Sequence, residues 1–376
     1  MSATDQNDSS AYHMRWAAVW IGALLLSLAI VVGLIAQEVL YLRNQASIAN
    51  GLDAIQVTAR TRERSEWLAP ILGKETCAEV ISLSADWTVG PMSEDNSWGV
   101  HHLPFLSEAI SSCPVESIDF EGVPLRDENI VGFLRSSAIS KIRLCGAPLS
   151  SIAAFEIASL NQLEAVDLEG SAIDNAGMKA LAACKTLKYL CVSGTRISSD
   201  ALEPWRNHPA LEKIILNDTA IGDDDIKSLS TIPTLKSCGL SHTRITLAGI
   251  QGIARMPSVE ELSLSGENIT DTEVGALVNC PRLTELVLLE TSCTDEVFET
   301  LNKMSRLESV VLSSKAISDS GLRRLVNSHL WTIAVGGPKI TLGGLGELQR
   351  RLRAKVHDAG WETKVSRGST REKADQ

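Results

Sequence analysis

Basic side chains are in short supply here: 35 lysines and arginines stand against 46 aspartates and glutamates in 376 residues. The deficit lies in the middle of the chain, where residues 65–348 hold 22 basic and 37 acidic side chains. A body of that charge excludes the cationic surface that displaces counterions from nucleic acid. Cysteine pairs at metal spacing are missing too. The eight cysteines form no C-x-x-C, which removes the common structural zinc frameworks. The run Gly343-Gly344-Leu345-Gly346 lacks the lysine of a phosphate loop. His101-His102 have no carboxylate or cysteine at metal-ligand spacing, and His208, His242 and His329 fit no triad. Asp223-Asp224-Asp225 suits a helix N-terminus, where acids favour the dipole, better than a calcium loop. No catalytic, cofactor-binding or metal-binding residue is therefore expected, and the chain reads as non-enzymatic.

What is present is a period. Similar units begin at Val115, Ile139, Leu163, Leu187, Leu211, Leu235, Val259, Leu283, Leu307 and Leu330, spaced by 24 residues until the last step of 23. Within a unit, apolar residues fall at offsets 0, 3 and 5, which is the alternation of a short strand with one buried side. Offsets 15 and 18 have the spacing of one helical turn against the same core. The columns hold: offset 5 runs from Phe120 and Leu144 through Leu216 and Leu288 to Val335, and offset 18 from Ile157 and Leu181 through Trp205 to Leu348. Ser, Thr and Asp after offset 10 mark helix starts, and Thr270 with Glu273 fits a capping box. Pro209, Pro233, Pro257 and Pro281 end the units. Such a strict period marks a solenoid whose units bury themselves only against their neighbours.

The phrase L-x-x-L-x-L-x-x-T-x-I-T-D-x-x-L resembles the leucine-rich repeat, with Thr195, Thr219, Thr243 and Thr291 at the asparagine position and Glu267 and Lys315 departing from it. Cys184 and Cys280 at helix ends are similar to the cysteine-containing subclass, and bacterial leucine-rich-repeat families of unknown role show similar arrays. The resemblance covers residues 78–348. It implies an α/β fold, a curved horseshoe with parallel strands on the concave face and helices on the convex face.

The rest of the chain reads as flanking segments. Residues 1–15 form a tail. Residues 16–36, Trp16 to Ala36, carry no charge and are long enough to cross a bilayer of about 30 Å as a single transmembrane helix; the rival reading, a cleaved signal peptide, fits worse because the run is long and Leu34-Ile35-Ala36 is a poor cleavage site. Arg15 and Arg43 flank this span almost symmetrically; a short tail before a first anchor stays cytoplasmic, which puts the repeats on the extracytoplasmic side. Residues 37–76 are expected as a helical stalk, with Ile48, Leu52, Ile55 and Ala59 at helical spacing. Residues 77–114 read as a degenerate capping repeat with an insertion, in which Trp87 and Trp98 shield the core end. Ten repeats and a final basic helix occupy 115–356, and 357–376 reads as a disordered tail.

Most cysteines fall in core columns and are expected as small buried hydrophobes. Cys77 and Cys113 flank the first unit and are the candidate disulfide outside the cytoplasm. Cys145 and Cys191 fall at outward offsets. Outward strand positions are the candidate binding face. Glu116, Asp119, Glu121, Glu164, Asp167 and Glu169 make an acidic patch interrupted by Lys141 and Arg143. Ile215 follows, and Val287, Leu289 and Val311, with Trp331 nearby, make an apolar patch of the kind that marks a partner site. The expected function is a membrane-tethered module that binds a protein or peptide on this face. The alternatives are a self-associating envelope scaffold and, last, a hydrolase built around His101.

Overall fold

The structure is a computed structural model; it describes residues 34–50, 52, 58–63, 78–86, 106, 108–110, 112–123, 125–134, 138–352 and 354–359. The chain divides into two compact units, residues 1–84 with 112–115, and residues 85–111 with 116–376.

In the first unit residues 34–50 are helical. Leu42, Gln45, Ile48 and Leu52 are buried along one side of this stretch. The Gln45 amide donates to the Ser112 carbonyl at 3.1 Å, which satisfies a polar group that would be costly to bury alone. The expected continuous stalk is corrected here. After Asn50-Gly51, the one turn signal in the segment, the chain forms strand β1 (Thr58–Glu63), which pairs antiparallel with β2 (Ala78–Asp86). The β-branched Thr58 and Thr61 favour a strand over a helix here, and the pairing with β2 shifts register between Arg60 and Thr61. No helix among the described residues is long and apolar enough to cross a membrane. The helix over 34–50 carries Glu38 and Arg43, and residues 16–33 lie outside the described residues, as do Trp87 and Trp98.

The second unit is the solenoid. Its parallel strands are β3 (Ser117–Glu121), β4 (Lys141–Arg143), β5 (Ala165–Asp167), β6 (Tyr189–Cys191), β7 (Lys213–Ile215), β8 (Ser237–Gly239), β9 (Glu261–Ser265), β10 (Glu285–Thr291), β11 (Ser309–Ser314), β12 (Thr332–Gly336) and β13 (Lys355–Asp358). Each pairs with the next in register one repeat apart, as Ile142↔Val166, Leu190↔Ile214 and Leu286↔Val310 show. Helices α1 (Asp127–Phe133), α2 (Ser151–Ile157), α3 (Asn175–Leu181), α4 (Asp223–Leu229), α5 (Leu247–Ile253), α6 (Asp271–Ala276), α7 (Val297–Lys303), α8 (Asp319–Arg324) and α9 (Leu342–Leu352) return the chain to the next strand. This repeating strand–helix alternation is that of a leucine-rich-repeat solenoid.

The core columns are buried as their periodicity requires: Leu216, Leu288, Leu312, Ile221 and Leu229 are fully inaccessible. Each such side chain contributes about 1.5–3 kcal/mol of transfer free energy. Threonines at the asparagine position close the bend after the strand. Thr195 Oγ1 donates to the Val192 carbonyl at 2.6 Å and Thr243 Oγ1 to the Leu240 carbonyl at 2.9 Å. Cys184, Cys238, Cys280 and Cys293 are buried, as their columns predict.

Two repeats depart from the expectation. Ser199-Asp200 does not start an α-helix. Asp200 takes a left-handed conformation (φ 70°), and a single 3-10 turn, Glu203–Trp205, follows. Pro204 supplies no N–H and resists the helix interior, while Trp205 fills the space with a fully buried ring. At the other end the final helix stops at Leu352, short of the expected Val356. Residues 355–358 then form β13, parallel to β12, so His357 and Asp358 belong to the sheet and not to a disordered tail.

Candidate partner-binding face

Because neighbouring strands are in register, the outward side chains line up in rows about 4.8 Å apart. One row reads Asp119, Arg143, Asp167, Cys191, Ile215, Gly239, Ser263, Val287, Val311, Ala334 and His357. Its chemistry changes along the solenoid, while the core rows beneath stay apolar.

At the β3–β5 end Arg143 organises the acidic patch. Its guanidinium lies 2.8 Å from Glu121, 3.2 Å from Asp119 and 3.5 Å from Asp167. One cation facing Asp119, Glu121, Asp167 and Glu169 leaves a clear acidic excess. Burial pushes the Asp119 carboxyl up despite the nearby guanidinium. Burial and then Asp167 push Glu169 up. Burial opposes the charge on Arg143, but the acidic groups around it outweigh that and raise its pKa.

Cys145 and Cys191, expected as exposed, are buried. Small side chains at this spacing lie below the longer ones on either side, so Asp167 and Ile215 flank Cys191 in its row. Burial pushes the Cys145 thiol up and the Cys191 thiol up to about 12. Both are protonated at neutral pH and poor nucleophiles. Asp167, Glu169 and Cys191 offer ligand atoms within 4.8 Å of one another. Arg143 already pairs with Asp167, and two carboxylates beside one thiol do not by themselves make a metal site, so the trio carries no metal assignment.

In the middle, side chains become small. Ile215 leans over Gly239, where a Cβ would lie 2.9 Å from its Cγ2. Ser265 Oγ donates to Ser241 Oγ at 3.0 Å, and Ser241 and Ser263 hydroxyls lie 3.2 Å apart. Towards β11 the row turns apolar. Val287, Leu289 and Val311 are half-buried rather than fully exposed as expected, because adjacent strands shelter one another's side chains. Trp331, by contrast, is 74% exposed. The acidic and apolar patches thus lie on one sheet face but are separated by the serine-rich strands.

Sequence reasoning missed a charge ladder on the same face. Glu164 pairs with Lys188 at 3.0 Å and Glu212 with Lys236 at 2.9 Å, each across adjacent strands. Lys213 reaches Glu261 two strands away at 3.5 Å, past the short Ser237, whose hydroxyl also donates to Glu261. The signal was present as alternating Glu and Lys at offset 1. These pairs neutralise the centre of the face and leave the acidic excess to the Arg143 cluster.

The remaining candidates sort simply. His208 is buried: Nε2 lies 3.0 Å from the Cys184 carbonyl, and Nδ1 accepts the Leu211 N–H at 3.2 Å. Asp225 is a buried helix-start residue that accepts the Gly222 N–H at 3.0 Å. Cys113 is buried; Cys77 and His101-His102 lie outside the described residues.

No family model matches the chain, and no curated protein does. Among solved structures it is similar to an internalin, inlF, from Listeria monocytogenes (16% identity, 68% of this chain and 76% of that one, TM-score 0.42). It is also similar to internalin C2 from the same organism (16% identity, 67% and 92%, TM-score 0.34). A third neighbour is TLR13, solved in complex with ssRNA13 (14% identity, 62% and 41%, TM-score 0.40). At these scores and identities the likenesses carry no functional argument.

Proposed function

We propose that the solenoid is a non-enzymatic interaction module whose strand face takes a protein or peptide partner. The observation that carries this reading is the outward row from Asp119 to Val311. Its core counterpart is uniform, so folding does not require the change from a charged cluster to small and then apolar side chains. Val287, Leu289, Val311 and Trp331 would supply most of the contact energy, with Ile215 at the edge of the serine-rich stretch. Asp119, Glu121, Asp167 and Glu169 would orient a partner that carries positive charge and speed its arrival.

Trp16 to Ala36 would tether this module to a membrane with the repeats on the extracytoplasmic side. The uncharged length of that segment supports the tether. Protease treatment of intact and lysed cells tests the sidedness: protection in intact cells would reverse it.

A photo-crosslinking side chain at Ala334 tests the binding face. Adducts formed by the full chain should vanish in Leu289→Asp and Val311→Asp while the melting temperature moves by only a few degrees. Adducts that persist in both variants would remove the apolar patch from the interface. A size measurement of the detergent-solubilised protein separates this reading from a self-associating scaffold, which requires an oligomer.

A further inference from the structure

The geometry points to a second docking site, at the free edge of β13, that accepts an extended acidic segment of another protein by strand addition. β13 is the last strand of the sheet, and among the described residues nothing pairs with its outer side. The Lys355 N–H donates to the Trp331 carbonyl at 2.8 Å and the Ala359 N–H to the Val335 carbonyl at 3.3 Å. Amides alternate along a strand, so those of Val356 and Asp358 point to the open edge. A row of unpaired backbone donors and acceptors is a template for another strand. No proline interrupts it and its register with β12 has no bulge.

The side chains define what fits. Lys355 and His357, opposite Thr332 and Ala334, are exposed on the outward face, and Lys355 makes no ion pair among the described residues. Val356, opposite Ile333, lies on the core face but is only half-buried, because no further repeat among the described residues covers it. Trp331, whose carbonyl takes the Lys355 amide, is itself exposed. An added strand therefore meets positive charge on one face and an uncovered apolar residue on the other. The matching occupant alternates carboxylate and apolar side chains. This site differs from the strand face proposed above, since it uses backbone groups at the edge and not the row ending at Val311.

The test uses the full chain and a fluorescent decapeptide of alternating glutamate and valine, followed by anisotropy. Saturable one-to-one binding is expected. Val356→Pro removes one outward N–H and spares every bond to β12, so it should weaken binding by up to about tenfold, the loss of one good hydrogen bond, with an unchanged melting temperature. Lys355→Glu should weaken this peptide and strengthen a lysine–valine one. Equal affinity in wild type and Val356→Pro, or no binding, overturns the proposal. So does a dimer that Val356→Pro dissociates, which would assign the edge to a second copy. Slow hydrogen exchange at the Val356 amide before peptide is added would show the edge already filled, by residues 360–376 or otherwise, and overturns it too.

Discussion

Asp295 closes the helix start of the repeat that follows its own: its carboxylate accepts the Ser318 backbone N–H at 2.8 Å and the Ser318 hydroxyl at 2.7 Å. Asp127 holds Ser150, Asp223 holds Thr246, Asp271 holds Thr294 and Asp319 holds Thr341 through the same two bonds. Asn175 takes the role with Ser198. A helix of six or seven residues, such as α8 or α5, is too short to be stable alone, and the clamp ties its start to the neighbour already in place. Asp295→Ala is expected to cost about 1–2 kcal/mol, the range of a lost N-cap, measured by urea unfolding. Burial alone would raise the Asp295 carboxyl, but the hydrogen bonds from Ser318 and Ser320 outweigh it and hold it below its ordinary value. The sign follows: its contribution is present above the unfolded pKa near 3.8 and is lost as pH falls through the lower folded value. Asp295→Ala should therefore differ most from wild type at neutral pH and least in strong acid.

Arg143→Met tests the acidic cluster. Without the guanidinium, Asp119, Glu121 and Asp167 face one another with no cation. The expected loss at pH 7 is about 1–3 kcal/mol, the penalty of stranding partly buried charged groups. It should shrink towards pH ~4, where carboxylates protonate, and in high salt, which screens the repulsion. Asp119 and Glu169 already sit above their ordinary values, so in wild type they favour folding in acid and oppose it as pH rises through their raised folded values. A deficit in Arg143→Met that is flat from pH 4 to 7 would mean its carboxylates do not interact.

His208 gives the fold a pH dependence of its own. Its burial, together with Lys185, lowers its pKa against the opposing bond to the Cys184 carbonyl. A neutral buried histidine stabilises the fold above the unfolded pKa near 6.5, and that stability is lost as pH falls through this value towards the lower folded one. The equivalent position is Met256 and Met304 in other repeats, both buried. His208→Met should therefore fold and should flatten the melting temperature between pH 7.5 and 5.5. Equal slopes for both proteins would place the titration elsewhere.

The repeat, its core columns, the burial of Cys238 and Cys293 and the Thr270–Glu273 capping box were legible because each depends on spacing within one unit. What stayed hidden depends on spacing between units. Asp295 is 23 residues from Ser318 and reads, in one dimension, only as another acid near a helix start. Cys145 and Cys191 sit at outward offsets, yet the bulk of their neighbours buries them, which no single repeat records. The 3-10 turn at Trp205 did carry a signal, Pro204, that the aligned column masked. β13 was obscured by the charged sequence around it: Lys355 and His357 face outward, and only Val356 marks a strand.

The same between-unit geometry explains a glycine column and gives its sharpest test. A Cβ on Gly321 would lie 2.2 Å from Asp295 Oδ1, on Gly344 2.2 Å from Asp319 Oδ1, and on Gly249 2.4 Å from Asp223 Oδ1. These glycines make room for the carboxylate that caps their own helix. Gly275, inside α6, has nothing within 4 Å of its built Cβ. Helix propensity alone favours alanine over glycine by about 1 kcal/mol at every such site. Gly275→Ala should therefore stabilise the protein by about 0.4–1 kcal/mol. Gly321→Ala should destabilise it, because the added methyl displaces Asp295 and also meets Phe298 at 2.7 Å. If displacement of the clamp is the main cost, Gly321→Ala should cost less in an Asp295→Ala background, with a coupling of about 0.5–3 kcal/mol in the double-mutant cycle. Strict additivity would show that Phe298, and not the carboxylate, forbids the side chain.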